Sequence, residues 1–242
     1  MKEPFIVMTF SVVVQARMGS SRLPGKVLKK INDMPMIEII LKRLSLSRKV
    51  DNIILATSEE QQDVFLSKFV KGLGFEVFNG SENDVLSRYY WASKYYDLKN
   101  IIRITGDCPL VDPSIIDEMC NEFSRNNPDY LSNIFPRSFP KGLDIEIFSF
   151  KSLERAFNET QESSHREHVT PYIRESGKFI TSNFDNDNDY SSLRWTVDYQ
   201  EDFDLIKYIF NKFEDNIHFN WKDVLDLEKK EPKIFDFNKH LK

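Results

Sequence analysis

The segment QARMGSSRLPGK occupies residues 15–26 and directly follows three valines that end at Val14. Its cations, Arg17, Arg22 and Lys26, can surround a polyanion, the arginines through paired hydrogen bonds and the lysine as a point charge. A cationic, glycine-containing loop at the end of a buried strand is a good cradle for a triphosphate. Composition alone leaves an ordinary exposed basic loop as the alternative.

Two familiar phosphate-binding motifs do not fit this loop. Gly19 and Gly25 are one position too far apart for G-x-x-x-x-G-K-[ST], and Val27 follows Lys26 where a serine or threonine is required. The sequence G-x-G-x-x-G is also absent, so a Rossmann dehydrogenase receives no support. The two glycines are still expected to allow backbone conformations and close approaches that other residues do not.

Short apolar segments alternate with helical patterns through the first half of the chain. This alternation predicts an α/β fold with a mostly parallel, doubly wound sheet that binds its ligand at the carboxyl ends of the strands. The predicted strands are 11–16, 52–57, 75–78 and 101–105. The predicted helices are 36–46, a segment from about 64 that stops before Gly72, 81–96 with a Ser81–Asp84 capping box, and 112–124.

The pattern changes after about residue 133, where a smaller β/α elaboration is expected. The predicted strands there are 142–148, half-buried because its residues alternate, 179–184 and 193–197. The predicted helices are 151–157, 164–175 with a break at Pro171, 203–213 and 221–227. No repeat or long linker marks a second domain, so one domain over residues 1–242 is expected.

Composition narrows the class of ligand. The 242 residues carry a net charge of −5, which argues against nucleic-acid binding and favours a small anionic ligand near the one basic loop. No apolar run is long enough to suggest a membrane span. Two cysteines exclude a disulfide scaffold and fit a reducing cytoplasm.

The ordered string A-R-x-G-S-x-R-L-P-G-K at residues 16–26 resembles the signature loop of cytidylyltransferases that make CMP-activated acidic sugars. This is the CMP-KDO and CMP-sialate synthetase superfamily, and the spore coat polysaccharide branch is the most similar. The resemblance implies a nucleotide-diphospho-sugar transferase type of sheet. It divides the chain into a nucleotide-binding half (8–132), an acceptor and dimerisation elaboration (133–190), and a C-terminal strand and helices (191–242).

In that superfamily the loop wraps the triphosphate of CTP. The resemblance therefore implies catalytic roles for Arg17, Arg22, Lys26 and Asp107. The nucleotide-binding residues that it implies are Ala16, Arg17, Gly19, Ser20, Ser21, Arg22, Lys26, Thr57, Arg88 and Thr105.

Two aspartates are candidate Mg²⁺ ligands. Asp107 follows a predicted strand in the string TGDCPL, and Asp198 ends the string RWTVD before an acidic helix start. Carboxylates suit Mg²⁺, which takes oxygen ligands and shares its shell with phosphates, whereas a turn or capping aspartate is the alternative. Both strings resemble the superfamily, where both aspartates bind the metal, so the two are expected to share one Mg²⁺.

The segment at residues 80–89 resembles the spore coat branch motif Gly-x-x-x-Asp-Val-Leu-x-Arg. Arg88 lies one helical turn after Asp84, so the two are expected to pair, and a merely stabilised helix is the alternative. The resemblance also places Arg88 near the nucleotide. Arg103 and Thr105 stand where CMP-KDO synthetases carry amides, so the means of base recognition is left open.

The segment PKGLDIE at residues 140–146 resembles the acceptor side of the branch. It implies that Lys141 meets a sugar carboxylate and that Asp144 and Glu146, on one strand face, bind hydroxyl groups. The alternative is an exposed strand with alternating charges. His168, in the similar string EHVTPY, is expected to border the acceptor pocket or a dimer interface.

Two metal motifs are rejected on spacing. His165 and His168 lack both H-E-x-x-H and a nearby third ligand for zinc. The acidic run 185–189 begins like a calcium loop but has Tyr190 where glycine is needed and Thr196 where glutamate is needed. The Asp-x-Asp within that run is also found in glycosyltransferases.

The sequence therefore predicts a CTP-dependent cytidylyltransferase that activates an acidic sugar, with Mg²⁺ as cofactor and a homodimer as the expected assembly. A glycosyltransferase that consumes a nucleotide sugar, or a non-catalytic nucleotide-binding protein, are the alternatives.

Overall fold

A computed structural model describes residues 8–214 and 216–241. The strands are β1 (Phe10–Gln15), β2 (Lys30–Ile31), β3 (Met34–Pro35), β4 (Val50–Ser58), β5 (Glu76–Gly80), β6 (Asn100–Thr105), β7 (Tyr130–Ser132), β8 (Glu146–Ser149) and β9 (Thr181–Asn183). The helices are α1 (Met36–Leu44), α2 (Val64–Gly72), α3 (Val85–Tyr95), α4 (Pro113–Asn126), α5 (Phe150–Glu159), α6 (Ser163–His168), α7 (Pro171–Glu175), α8 (Gln200–Lys212), α9 (Trp221–Lys230) and α10 (Pro232–Phe235). Short 3-10 helices cover Lys26–Leu28 and Gln61–Asp63.

A seven-stranded sheet has the order β5-β4-β1-β6-β8-β7-β9. The neighbours from β5 to β6 are parallel, β8 is antiparallel to both β6 and β7, and β9 is parallel to β7. The chain first moves outward from β1 to β4 and β5, then returns to β6 on the other side of β1. The predicted mostly parallel sheet is confirmed, and the crevice at the carboxyl ends of β1 and β6 is its topological switch point.

Both faces of the sheet are covered by helices. Val12 and Val14 of β1 belong to one core, which includes residues of α1, α4 and α8. Val13 points to the other core, with residues of α3 and α5. Because both faces are buried, β1 contains three consecutive valines rather than an alternating pattern.

The N-terminus of α4 agrees with its predicted cap. The Asp112 carboxylate accepts a hydrogen bond from the Ser114 backbone N–H at 2.8 Å, and Pro113 is the first helical residue. The other Asp112 oxygen accepts from the Trp221 backbone N–H at 2.6 Å, so this cap also joins α4 to the start of α9.

Two predicted strands in the second half were wrong in extent. Regular pairing over 142–148 begins only at Glu146, and β8 is buried on both faces because Ile147 packs in one core and Phe148 in the other. Residues 193–197 form an extended segment with a single bridge, Lys141 to Arg194, and no ladder. The helix predicted over 164–175 breaks at Val169, whose φ is +71°, just before Pro171.

Candidate active site

The loops that follow β1 and β6 meet at the switch point. The Gly106 backbone N–H donates to the Gln15 carbonyl at 2.8 Å, which ties the two loops together. They form one wall of a cavity of about 550 Å³, whose other walls come from residues 82–88, from α6 and from Asp198. Sequence reasoning correctly expected these two loops to share a crevice.

The cationic loop is held in shape by an acid buried beneath it. The Asp63 carboxylate accepts from the Met18 backbone N–H at 2.6 Å and from the Ser58 hydroxyl. The Gly25 N–H then closes the loop onto the Met18 carbonyl at 3.1 Å, with Gly25 at a φ of +66°. The expectation of a special backbone is therefore confirmed at Gly25, whereas Gly19 keeps an ordinary φ.

Gly106 is required by the close approach of the two loops. A Cβ atom at this position would lie 2.6 Å from the Ala16 Cβ and 3.2 Å from the Gln15 carbonyl oxygen. Real Cβ atoms do not tolerate the first distance, so a side chain would force the two loops apart.

Gly106→Ala is expected to destabilise the protein by about 1–3 kcal/mol, as overpacking does, and to weaken nucleotide binding by displacing Ala16. Chemical denaturation and nucleotide titration measure the two effects. Gly72→Ala is the matched control, because no atom lies within 4 Å of its added Cβ. Equal behaviour of the two variants would contradict the argument.

An acidic corner faces the cationic loop. The Lys26 ammonium lies 3.1 Å from Asp198 Oδ1 and 3.7 Å from Asp107 Oδ2, and it also donates to the Val197 carbonyl at 2.6 Å. The Arg22 guanidinium reaches the same Asp198 oxygen at 2.7 Å. One ammonium therefore brings together two carboxylates that are far apart in the sequence.

The extended segment before Asp198 is fastened to the β6 loop by backbone contacts. The Val197 N–H donates to the Asp107 carbonyl at 2.8 Å, and the Thr196 hydroxyl donates to the same oxygen at 3.2 Å. These backbone contacts, rather than a strand of the sheet, therefore position Asp198 in the acidic corner.

Electrostatics keep the Asp198 carboxyl ionised. Burial raises its pKa, but Lys26, Arg22 and Arg194 together outweigh burial, and the pKa of Asp198 is lowered below its ordinary value. A carboxylate that stays charged can bind a divalent ion when Arg22 and Lys26 move to phosphate oxygens.

The donor set fits Mg²⁺ only in part. Asp107 and Asp198 are hard oxygen donors, but no group of three or more His, Cys, Asp or Glu side chains suited to a metal occurs among the described residues. Mg²⁺ commonly keeps waters and uses one or two carboxylates together with substrate phosphates. Two carboxylates beside the cationic loop agree with this coordination preference of Mg²⁺.

The cavity gathers most of the predicted site residues. Those that line it are Ala16, Arg17, Gly19, Ser20, Ser21, Arg22, Lys26, Arg88, Thr105, Asp107, His168 and Asp198. Those that do not are Thr57, Lys141, Asp144 and Glu146. Thr57 is fully buried inside β4, so its predicted contact with the nucleotide has no support in the geometry.

Glu146 is part of a buried network rather than a free acceptor ligand. Only 2% of the residue is exposed, and its carboxylate pairs with Arg103 while accepting hydrogen bonds at 2.6 Å from the hydroxyls of Tyr130 and Thr170. Burial opposes the charge of Arg103, but Glu146 outweighs it and raises the pKa of that guanidinium. The predicted sugar contact of Glu146 is wrong, because its oxygens are already used inside the protein.

Asp144 is also engaged within the protein. The Arg137 guanidinium binds it in a two-pronged ion pair with distances of 2.6 and 2.8 Å. The two acidic side chains therefore do not form a common acceptor-facing surface, and the predicted half-buried strand that would place both on one face begins only at Glu146.

The predicted ion pair between Asp84 and Arg88 was wrong as well. The Asp84 carboxylate caps α3 through the Ser87 N–H at 2.9 Å and pairs with Arg166 of α6 at 2.6 Å. Arg88 is 1% exposed and donates to the Ser81 carbonyl at 2.7 Å. The Ser81 hydroxyl does accept a hydrogen bond from the Asp84 N–H. The N-cap of the helix is nevertheless Asp84, about one turn after the predicted N-cap Ser81, and the helix starts at Val85.

Several cavity residues escaped the sequence analysis. These are Gln15, Val27, Glu82, Asn83, Val85, Gly106, Ser163 and Glu167. Glu82 pairs with Arg17 at 2.9 Å, which links the cationic loop to the opposite wall. The sequence patterns assign none of these residues a role. Several of them nevertheless lie in the quoted segments: Gln15 in 15–26, Gly106 in 105–110, Glu167 in 167–172, and Glu82, Asn83 and Val85 in 80–89.

The α6 histidines show no zinc-site geometry. The His165 ring contacts the Thr160 hydroxyl at 2.9 Å and Glu162 at 3.1 Å, whereas His168 lines the cavity. Separately, none of the helices over the described residues is long and apolar enough to cross a membrane.

A doubly wound sheet whose switch point places a cationic loop opposite two carboxylates defines a nucleotide-binding phosphotransfer enzyme. A family model described as cytidylyltransferase matches residues 11–231. The structure of a cytidylyltransferase from Leptospira borgpetersenii serovar Hardjo-bovis has a TM-score of 0.90 and 37% identity, covering 94% of this chain and 97% of that chain. The spore coat polysaccharide biosynthesis protein SpsF of Bacillus subtilis is 31% identical over 228 residues, 91% of this chain and 94% of its own length.

An 8-amino-3,8-dideoxy-manno-octulosonate cytidylyltransferase from a Shewanella strain is 35% identical over 128 residues, 51% of each chain. This chain belongs to the cytidylyltransferase family, within the CMP-sugar cytidylyltransferase superfamily and on its SpsF-like branch, and it is a nucleotidyltransferase.

Proposed function

We propose that this enzyme transfers the cytidylyl group of CTP to a hydroxyl group of an acidic sugar. The sugar hydroxyl oxygen attacks the α-phosphorus and loses its proton, while the bond from that phosphorus to the pyrophosphate oxygen breaks. The products are a CMP-sugar and pyrophosphate. The observation that carries the proposal is the cationic loop, with Arg22 and Lys26, facing Asp107 and Asp198 across one cavity.

Acidic side chains within the site balance the charges of the cationic loop. Arg22 and Lys26 contact Asp198, and Arg17 contacts Glu82, so each cation of the loop has an acidic partner. A triphosphate can take over these cations, since phosphate oxygens bind arginine and lysine strongly. Asp107 and Asp198 are the residues that would hold Mg²⁺, and the ion would supply charge neutralisation at the reacting phosphate.

Catalysis in this proposal is mainly positioning and charge stabilisation. Arg17, Arg22 and Lys26 hold the triphosphate, and Arg88 lies in the wall beside residues 82–85, where the nucleoside is accommodated. No side chain is needed as a covalent nucleophile, because the acceptor hydroxyl is the attacking group.

The acceptor is proposed to be a sugar acid, bound toward α6. His168, Ser163 and Glu167 line that part of the cavity. The named octulosonate relative supports this substrate class for the half of the chain that it matches. A homodimer formed through the second half of the chain is part of the same proposal.

The deciding experiment mixes the purified protein with CTP, MgCl₂ and a panel of sugar acids and matched neutral sugars. Pyrophosphate release and the product mass are recorded together. Release with a sugar acid and a product containing CMP support the proposal. Efficient turnover of a neutral sugar contradicts the acidic acceptor. In a parallel mixture with a nucleotide sugar in place of CTP, product formation without pyrophosphate release identifies a glycosyltransferase instead.

Arg22→Ala is expected to weaken CTP binding by roughly 1.5–3 kcal/mol, the value of one charge-assisted contact. Calorimetric titration with CTP and Mg²⁺ measures the change. Arg125→Ala is the control, because Arg125 also pairs with a glutamate but is 72% exposed and outside the cavity. An unchanged affinity in Arg22→Ala would remove the triphosphate assignment.

A further inference from the structure

A buried cluster of side chains holds the Asp198 carboxylate on the side that faces away from the cavity. While Asp198 Oδ1 faces Arg22 and Lys26, its Oδ2 accepts from Arg194 Nη2 at 3.1 Å. The Arg194 and Asp198 side chains are only 6% and 8% exposed. The two oxygens of one carboxylate therefore have separate partners, one inside the protein and one in the cavity.

Arg194 is itself held by a second acid. Its Nε and Nη2 donate to the two oxygens of Asp202 at 2.9 and 2.8 Å, the two-pronged geometry that fixes a guanidinium in orientation. Burial raises the pKa of Asp202, but hydrogen bonds from Arg194, backbone N–H groups and Asn238 lower it by more than burial raises it. The acid therefore stays charged.

Asp202 also fixes the backbone around Asp198. Its Oδ2 accepts from the Asp198 N–H at 2.9 Å and from the Tyr199 N–H at 3.0 Å. The Asp202 carboxylate therefore positions the main chain of Asp198 directly and its side chain through Arg194.

The last member comes from the end of the chain. The Asn238 amide nitrogen donates to Asp202 Oδ1 at 2.8 Å and to the Arg194 carbonyl at 3.0 Å, and Asn238 is 2% exposed. It lies beyond residue 231, where the match to the family model ends. The C-terminal segment thereby joins the buried cluster that lies behind Asp198.

The charges within the cluster explain why two acids are present. Asp202 takes two of the three hydrogen bonds that Arg194 makes to carboxylates and balances its positive charge. Arg194 can then orient Asp198 without cancelling the charge that Asp198 presents to the cavity.

We propose that Arg194, Asp202 and Asn238 are positioning residues that commit one oxygen of Asp198 to the protein and present the other to a divalent cation. The inference rests on the proposed metal role of Asp198. Partners behind a metal ligand typically contribute 10–100-fold in affinity or activity. Loss of the Asn238 amide is therefore expected to weaken divalent cation binding about tenfold.

The test titrates Mn²⁺ into each full-length variant in the presence of CTP without acceptor, and follows the free Mn²⁺ signal by electron paramagnetic resonance. Asn238→Leu and Asp202→Asn are each expected to raise the Mn²⁺ Kd about tenfold or more. Asn238→Asp keeps the shape of the side chain but replaces the donor with an acceptor, and it should behave like Asn238→Leu. Asn238→Gln, which keeps the donor, should restore part of the affinity.

Phe235→Leu is the control for loosening of the C-terminal segment, because Phe235 is buried in α10 outside the cluster. It should lower Tm without changing the Mn²⁺ Kd. Wild-type Kd values in both Asn238→Leu and Asp202→Asn would overturn the proposal, as would an equal rise in Phe235→Leu. If Asp198→Asn also leaves Mn²⁺ binding unchanged, the metal role itself fails; if only that variant loses binding, the positioning role alone fails.

Discussion

Asp107→Asn and Asp198→Asn are each expected to lower kcat by about 10²–10³, the usual effect of removing one electrostatic stabiliser of a transition state. Both carboxylates lie close to the Lys26 ammonium, at 3.7 and 3.1 Å, so they serve the same corner of the cavity. The asparagine side chain keeps the shape of the acid and removes its charge.

Steady-state kinetics with varied Mg²⁺ will measure this effect. The double variant should be little worse than the worse single variant, because residues that serve one unit act non-additively. Asp226→Asn, an exposed partner of Lys229, is the control and should retain full activity. Full activity in either single variant, or strictly multiplicative losses in the double variant, would contradict a shared metal.

The two variants should differ in stability. Asp198 also pairs with the buried Arg194, whereas the Asp107 side chain is 28% exposed and its contact with residues 196–197 runs through the backbone carbonyl. Asp107→Asn is therefore the cleaner test of catalysis, since it leaves the buried cluster intact.

Glu146→Gln is expected to destabilise the protein by about 3–5 kcal/mol, because breaking a buried ion pair from one side leaves an uncompensated charge. The charge left behind is that of Arg103, whose side chain is 15% exposed against 3% for Glu146. Tyr130 and Thr170 both donate to Oε1, whereas Arg103 donates to Oε2, so an amide nitrogen at either position removes an acceptor from the hydroxyls or from the guanidinium.

Urea denaturation, with the same m-value used for the wild type and the variants, measures the loss in the free energy of unfolding. Asp144→Asn is the matched control: its pair with Arg137 is 24–28% exposed, so a loss of at most about 1 kcal/mol is expected. Replacing both Arg103 and Glu146 with leucine should recover part of the stability lost in Glu146→Gln. A stable Glu146→Gln variant with a raised acceptor KM would instead restore the sugar-binding interpretation.

Local patterns in the sequence determined a large part of the fold. The apolar run of β1, the apolar run of β6 and the Asp112-Pro113 cap each express a preference of neighbouring residues, and each appears where the pattern predicts it. Once parallel strands alternate with helices, the carboxyl ends of β1 and β6 must share an edge. The cationic loop and Asp107 were therefore placed correctly without coordinates.

Charged side chains in the second half were assigned less well. An alternating strand with acids on one face has the same pattern whether those acids meet solvent or buried cations. Glu146 proved to pair with Arg103, 43 positions earlier, and Asp84 with Arg166, 82 positions later. Sequence spacing identifies partners within one helix or strand, but it contains no information on partners brought together by packing.

The sequence by itself determined the sheet, the loop that faces the ligand and the chemical type of the site, because these depend on backbone preferences and on residues that are close in the chain. Only the tertiary structure decided which acids line the cavity. Asp107 and Asp198 meet at Lys26 inside it, whereas Glu146 and Asp144 lie outside it and pair with Arg103 and Arg137. The physical reason is that long-range packing determines both the cation that a carboxylate pairs with and whether that pair faces the cavity.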